Sequence, residues 1–344
     1  MKRNIAILLI IVVAIVCCPV FVLADSNESD SCAYSILPGT QEWDSLGTVE
    51  AKKAACKISE EKLLCMNDEE LLEAVIDYPF LIDIFLCDDY SVPVHELLES
   101  CDALRELSRR QDATNLLMEF LKENYDKDNR IVSNIAEYKL EAIMIILSYN
   151  DYFCNELAHS DLEFINSQSH LVRIKEDSNG LRIAYVYTPN GSQVTCNTYS
   201  CSHSDPDFHS DLDDDAVYIY GVYLISGGSC RYNCHSYTWY YTSTSNILWI
   251  DNPSAYMTDG SYDLVMSNMY NSSSSVYPGD HICYGSKYGP AHSAVVTSSA
   301  SSTALCNRYV KSKWGIAGVF SHTVDNVPDE YWENGSYASA WTLS

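Results

Sequence analysis

The hydrophobic positions follow one pattern up to about residue 167 and a different one beyond it. Between 42 and 167, apolar residues recur at intervals of three and four, which is the spacing of one face of an α-helix. One such stripe consists of Leu97, Leu98, Cys101, Leu104 and Leu107. Asn67 followed by Glu70 has the form of a capping box, and Asp112 and Ser133 stand where further helices would begin. We therefore predict a bundle of amphipathic helices joined by short links.

Beyond about residue 168, short runs alternate between apolar and polar residues, as they do in half-buried strands. One run, at 181–187, leads into a turn at Pro189-Asn190-Gly191, and the turn Pro278-Gly279-Asp280 leads into a second apolar run. Two more predicted strands follow, one at 291–296 and one that runs to Ser312-Lys313-Trp314-Gly315. Long helical stripes are few here. The predicted fold class is α+β: an all-α helical bundle followed by a domain with an antiparallel sheet.

The first 24 residues have the composition of a secretory signal peptide. Lys2 and Arg3 precede a long apolar run that ends at Ala24, a small residue suited to cleavage before Asp25. If this run were retained, it would be long enough to anchor the chain in a membrane, which is the alternative. We favour cleavage and predict a secreted protein with no membrane attachment. The predicted organisation is a signal peptide at 1–24, a disordered linker at 25–41, a helical bundle at 42–167 and an α+β domain at 168–344.

The chain is strongly acidic. Its formal net charge is −26, and loss of Lys2 and Arg3 with the signal would make this charge more negative. A charge of this sign opposes binding to nucleic acid, to anionic membranes and to anionic wall polymers, so we exclude nucleic acid as a partner. The chain also has 14 cysteines. Export would permit disulfides, but the sequence leaves the redox state of these cysteines open.

A candidate nucleophile follows the glycine pair Gly227-Gly228. Cys234 stands at the start of a predicted short helix, where the positive end of the helix dipole favours the thiolate. A cysteine nucleophile needs a base, which can be distant in sequence, and His292 heads one of the apolar strands. His235 is adjacent to the cysteine, but a direct neighbour on a helix points about 100° away. His322 is a second candidate for the base.

The order of these features resembles that of the NlpC-type and CHAP peptidoglycan amidases and endopeptidases, which belong to the papain-like superfamily. Those families have a cysteine at a helix start, a Gly-Asp turn into a strand, and a strand of the form His-x-[Ala/Gly]-aliphatic-aliphatic. Here these features are Cys234, Gly279-Asp280 and His292-Ser293-Ala294-Val295-Val296. The match spans about 230 to 315. The segments Asn-Cys-His-Ser-Tyr-Thr-Trp and Ser-Lys-Trp-Gly also resemble those of a group of exported clostridia-type proteins with a helical N-terminal module.

The resemblance implies a papain-like domain that hydrolyses an amide bond. Cys234 would attack the carbonyl, and His292 would take its proton and later donate it to the leaving amine. The families place a third polar residue after the histidine strand, where Ser312, or alternatively Asn307, stands here. The residues implied in substrate binding are Tyr232, Asn233, Trp239 and Trp314. The expected substrate is a peptide or a peptidoglycan fragment, with no cofactor and no metal, and the oligomeric state is left open.

Three alternatives to catalysis stand beside this prediction. Cys230 and Cys234, together with His281 and Cys283, would supply thiolate and imidazole ligands for a structural zinc ion. Cys230 and Cys234 would instead leave no nucleophile if they formed a disulfide with each other. The third alternative is a non-catalytic exported binding protein with a vestigial cleft.

Overall fold

The computed structural model describes residues 33–126, 130–168, 184–199, 207–286, 288–332 and 337–344. The predicted signal peptide and the first part of the predicted linker lie outside these ranges. Within them, no helix is both long enough and apolar enough to cross a membrane.

The chain up to Gln168 is helical. Its α-helices are α1 (Gln41–Ser45), α2 (Val49–Ala55), α3 (Glu60–Cys65), α4 (Asp68–Ile76), α5 (Asp83–Leu86), α6 (Ser91–Ser100), α7 (Asp102–Leu107), α8 (Ala113–Asn124), α9 (Glu137–Tyr149), α10 (Asp151–Cys154) and α11 (His159–Gln168). The predicted capping box is present: Asn67 Oδ1 accepts from the Glu70 N–H (2.9 Å), and the Glu70 carboxylate accepts from the Asn67 N–H (2.8 Å). In the predicted linker, the buried Tyr34 donates its hydroxyl to the Ala74 carbonyl (2.7 Å), so this part packs against α4.

One helix boundary differs from the prediction because a tertiary contact interrupts the apolar stripe. The backbone at Cys101 is extended, so α6 ends at Ser100 and α7 begins at Asp102. The Asp102 carboxylate accepts a hydrogen bond from the backbone N–H of Ile58 (3.0 Å), which links the start of α7 to the segment before α3. Cys101 itself is fully buried, as its place on the stripe predicts.

A second boundary differs because of a local turn. We predicted that a helix opens at Ser133, whereas α9 begins at Glu137. The Ser133 hydroxyl accepts a hydrogen bond from the backbone N–H of Ile135 (3.4 Å), and such local bonds compete with helix formation. Asp112 does precede α8, but its side chain makes no capping hydrogen bond and its backbone is left-handed (φ 65°).

The second part of the chain is mainly β-structure, with two further helices, α12 (Phe208–Tyr220) and α13 (Ser254–Thr258). Its strands are β1 (Ala184–Tyr187), β2 (Gln193–Cys196), β3 (Tyr223–Ser226), β4 (Tyr262–Met266), β5 (His281–Ser286), β6 (Gly289–Val296), β7 (Tyr309–Lys313), β8 (Val319–Thr323) and β9 (Ala338–Leu343). β1 and β2 form a hairpin, and the others form a seven-stranded sheet in the order β3-β8-β7-β6-β5-β9-β4. These strand pairs are antiparallel. The predicted α+β class with an antiparallel sheet is confirmed.

The sheet lies between the helical layer and a thinner layer on its other face. The main hydrophobic core joins the helices to one face of the sheet, which contributes Ile282, Tyr284, Ala294, Val296, Val310 and Phe320. A smaller core on the opposite face consists of Val186, Val194, Cys196, Trp239, Ile250, Tyr256, Met257, Cys283 and Trp341. Residues from Cys32 to Ser344 form one compact unit. The boundary at 167–168, as a limit of independent folding, stays a prediction.

The helical layer meets the end of the sheet at a contact that we call the helix–sheet junction, formed by Phe85, Leu86, Gly315, Ile316 and Tyr331. The Phe85 carbonyl accepts a hydrogen bond from the backbone N–H of Ile316 (3.1 Å), and the Leu86 carbonyl accepts one from the Tyr331 hydroxyl (2.5 Å). A Cβ at Gly315 would lie 2.1 Å from the Phe85 carbonyl oxygen, and the φ of +43° also favours glycine. The junction therefore depends on close backbone approach.

The substitution Gly315→Ala should lower the free energy of unfolding by at least about 3 kcal/mol, because the added Cβ would force the junction apart and the left-handed backbone is costly. Gly47→Ala is the matched control, since Gly47 also has a positive φ (+75°) but no atom lies within 4 Å of the position of its Cβ. Urea denaturation should give a loss of about 1 kcal/mol for the control. Equal losses in the two variants would contradict this account of the junction.

Candidate functional site

Cys234 is a free thiol in the first turn of a short helix that continues through the π-helical segment Ser236–Tyr240. We call it the cysteine helix. Asn233 caps it: Asn233 Oδ1 accepts from the backbone N–H of Ser236 (3.1 Å), and Ser236 Oγ accepts from that of Asn233 (3.3 Å). The helix start predicted at this cysteine is present.

The Asn233 side chain is engaged on both its polar atoms inside the protein. Its Nδ2 donates to Asp88 Oδ2 (2.7 Å) and to the Ile250 carbonyl (3.0 Å), and its Oδ1 also accepts from the Ile250 N–H (3.2 Å). The residue is fully buried. Its predicted role in substrate binding stays a prediction. Its observed contacts hold the cysteine helix to the segment after α5.

The environment of Cys234 favours the protonated thiol. Burial raises the pKa of Cys234 well above its ordinary value, and the negative charge of Asp88 raises it further. The backbone N–H groups of Ser293 and His235 and the charge of Lys313 act in the opposite direction. Because burial is the largest of these effects, the helix dipole does not produce a thiolate here at neutral pH.

His292 is buried in β6, and its ring stacks on the ring of Tyr331, with centroids 3.8 Å apart and planes 5° from parallel. Burial lowers the pKa of His292 well below its ordinary value, and the nearby His322 and His235 lower it further. Its Nε2 has no hydrogen-bond partner among the described residues. In this part of the chain no hydrogen bond joins His292 to Cys234, so the structure does not bring the predicted base and nucleophile into a hydrogen-bonded pair.

The alternation of β6 explains why Ser293, and not His292, bonds to the side chains of the cysteine helix. Ser293 Oγ accepts a hydrogen bond from Trp239 Nε1 (3.0 Å) and pairs with His235 Nδ1 (2.8 Å), so the Ser293 side chain faces the cysteine helix. Successive side chains of a strand point to opposite faces. His292 therefore projects towards the other face, where Tyr284 and Tyr331 contact it.

Ser312, predicted to orient His292, is bound to other partners. Its hydroxyl accepts a hydrogen bond from Trp314 Nε1 (2.9 Å) and pairs with Nε2 of His322 (2.8 Å). His322 Nδ1 lies 2.8 Å from the Thr323 carbonyl, which can only accept, so Nδ1 carries the proton and Nε2 accepts from Ser312. The predicted orienting role of Ser312 stays a prediction, and the observed chain of bonds links Trp314, Ser312 and His322 across β7 and β8.

The remaining predicted binding residues lie in the cores. Trp239 belongs to the smaller core, and Trp314 is fully buried. The ring of Tyr232 lies under the Lys313 ammonium (5.2 Å to the centroid), and its buried hydroxyl has no partner among the described residues. Asn307, the alternative third residue, lies in the short helical turn Leu305–Asn307 before β7.

Two of the alternatives to catalysis, a Cys230–Cys234 disulfide and a structural zinc site, involve Cys230. Cys230 is disulfide-bonded whereas Cys234 is a free thiol, so the alternative of a Cys230–Cys234 disulfide is wrong. A zinc site would need Cys230 as a thiolate. The His281 ring instead packs against Trp239, and no group of three metal-ligating side chains occurs in the described ranges.

A cavity of about 360 Å³ lies beside Cys234, between the segment after α5 and the end of the sheet. Its lining residues are Cys87, Asp88, Asp89, Val92, His235, Asp251, Pro290, Ala291, Glu330 and Tyr331. None of the predicted catalytic and substrate-binding residues is among them. Four of the lining side chains carry carboxyl groups, and sequence reasoning missed all four because they come from three segments, at 88–89, 251 and 330, that are far apart in the chain.

Comparisons of this chain with family models, with curated protein sequences and with solved structures found no match.

Three of the four carboxyl groups that line this cavity have raised pKa values. Desolvation by the surrounding protein raises the pKa of Asp88, against the opposing hydrogen bond from Asn233, although solvent still reaches this exposed residue. Burial and the nearby charge of Asp83 raise the pKa of Glu330 to about 8. Burial also raises the pKa of Asp251. A group with a raised pKa favours its protonated form in the folded state, so these acids cost stability once they ionise.

The stability of the protein should fall as the pH rises from about 4.5 to about 8, because Glu330 keeps its proton in the folded state up to about 8 whereas the unfolded chain loses it near 4.5. Glu330→Gln should therefore stabilise the protein more at pH 8 than at pH 5, by more than about 1 kcal/mol. Asp263→Asn, which changes an exposed carboxylate on β4, is the control and should leave the profile unchanged. If the free energies of unfolding of wild type and Glu330→Gln differ by the same amount at pH 5 and pH 8, the prediction is contradicted.

Proposed function

We propose that this chain is an exported, non-catalytic binding protein that holds a peptide in the cavity beside Cys234. In this proposal its papain-like scaffold keeps the cysteine and the histidine as structural residues. One observation carries the proposal: the cavity beside the cysteine helix is lined by none of the residues that the catalytic prediction requires. A ligand that enters this cavity meets carboxylates, His235 and the Tyr331 side chain, and it does not meet Cys234.

The state of the two reactive side chains supports a binding role. A cysteine hydrolase needs a thiolate, or a base that removes the thiol proton as attack begins. Cys234 is 2 % exposed, and burial keeps it as the thiol. His292 is 1 % exposed and lies against Tyr331, which is held by the helix–sheet junction. Catalysis would require both residues to be uncovered together.

The cavity itself has the size and the mixture of surfaces that small ligands and peptide side chains use. A volume of about 360 Å³ falls in the range of ligand pockets. Val92, Pro290 and Ala291 supply apolar surface, and the carboxylates supply directed polar contacts. A peptide is the ligand class proposed here, because the resemblance to peptide-cleaving families and the pocket dimensions both fit one.

A cysteine hydrolase is the second candidate, and one observation favours it. Cys234 is a free thiol on a capped helix start, and the N–H groups of His235 and Ser293 both act on its sulfur. This arrangement would support a thiolate if Tyr331 moved away from His292. The second candidate therefore describes a latent enzyme that must open at the helix–sheet junction before it reacts.

Binding without turnover is the expected outcome when acetylated tetrapeptides and peptidoglycan fragments are titrated into the mature protein. Ala291→Trp should weaken the binding at least tenfold because the indole would fill the cavity, whereas Ala300→Trp, in an exposed turn, is the matched control. Calorimetry measures the affinity and mass spectrometry of the recovered ligand measures cleavage. Cys234→Ala should bind as wild type does. Cleavage that disappears in both Cys234→Ala and His292→Ala would establish the hydrolase instead.

A further inference from the structure

We infer that the cavity beside Cys234 recognises a primary ammonium group on an aliphatic chain, as in a lysine side chain. This inference deepens the proposed binding function and rests on it. The carboxyl groups of the exposed Asp88, Asp89 and Asp251 and of the buried Glu330 line one cavity, and no Lys or Arg side chain is among its lining residues. His235 is the lining side chain that could carry a positive charge. Burial lowers the pKa of His235 to about 4, so it is neutral at pH 7.

Glu330 is the group that points to a ligand. The residue is only 8 % exposed, it lines the cavity, and its Oε2 has no hydrogen-bond partner among the described residues. A buried carboxyl oxygen without a hydrogen-bond partner is costly, and an ammonium group bound beside Glu330 would favour loss of the carboxyl proton and donate a hydrogen bond to the carboxylate that forms. The nearest lysine does not do so, because the Lys53 ammonium is bound to Asp329 (2.9 Å) and lies 3.5 Å from Asp83.

The other carboxylates are positioned by hydrogen bonds before any ligand arrives. Asp88 accepts from Asn233 Nδ2 (2.7 Å), and Asp251 accepts from Asn197 Nδ2 (2.9 Å). Asp89 accepts from the backbone N–H of Ser91 (3.0 Å). Fixed carboxylates lose little side-chain entropy when they bind a cation, which favours affinity.

The shape of the site favours an organic cation over a metal ion. A metal ion needs several ligands within about 2.5 Å of one point. No group of three such side chains occurs in the described part of the chain, so these acids do not converge in that way. The apolar surface of Val92, Pro290 and Ala291 lies in the same cavity, and it offers a place for the methylene groups of a lysine side chain.

The test compares three probes on the mature protein by calorimetry at low salt: acetyl-Ala-Lys-Ala-amide, acetyl-Ala-norleucine-Ala-amide and the free diamine cadaverine. The lysine peptide should bind at least about tenfold more tightly than the norleucine peptide, since a charge-assisted hydrogen bond is lost in the latter. Glu330→Gln should reduce that preference to less than about threefold, and Asp263→Asn should preserve it. A lysine peptide that binds more tightly than cadaverine assigns the site to peptides, and the reverse order assigns it to free diamines; both outcomes support the ammonium.

Two results would overturn the inference, and they differ in what they say of the binding function. Equal affinities for the lysine and norleucine peptides in wild type would contradict recognition of an ammonium group but would still support a peptide-binding cavity. No binding of any probe at millimolar concentration would remove both proposals. The comparison of probes in wild type does not depend on how well the variants fold. For Glu330→Gln, a cooperative unfolding transition confirms that any lost preference reflects the carboxylate.

Discussion

The helix–sheet junction is the contact on which the rest of this structure depends. The backbone of the hairpin between β7 and β8 approaches the end of α5 so closely that only glycine fits at position 315. That approach places the segment after α5 over the end of the sheet, where Asp88 binds Asn233 and the Leu86 carbonyl accepts from Tyr331. The same contact therefore buries Cys234, holds Tyr331 on His292 and encloses the acidic cavity.

The electrostatics of the cavity follow from this burial. Glu330 is buried near Asp83, and the nearest lysine is already paired, so ionising Glu330 is expensive and its pKa is raised. A fold that needed only stability would gain from replacing such a group by a neutral one. In the proposed ammonium site, the bound cation would offset the free energy that ionisation of Glu330 costs the folded protein.

Local signals in the sequence predicted local features well. The capping box at Asn67, the helix start at Cys234 and the strand that carries His292 all occur where the residue pattern puts them. The sequence pattern gave wrong helix boundaries or side-chain partners where a contact with a residue distant in sequence decides the structure. Asp102 breaks a continuous apolar stripe because it binds Ile58, and Ser312 binds His322 and Trp314. Whether His292 lies on the same face of β6 as the cysteine helix depends on which side of the strand that helix packs. No local sequence pattern specifies this packing. The cavity residues at 87–89, 251 and 330 were missed for the same reason.

The most direct test of the central claim, that Cys234 and His292 do not act as a pair, is the rate of iodoacetamide alkylation of Cys234 between pH 5 and 8, read by peptide mass spectrometry. An unfolded sample supplies the rate of an unprotected thiol. We predict that native Cys234 reacts far more slowly than this reference throughout the range, and that His292→Ala leaves the rate unchanged. Rapid alkylation below pH 7 that slows sharply in His292→Ala would contradict the claim and establish a reactive cysteine–histidine pair.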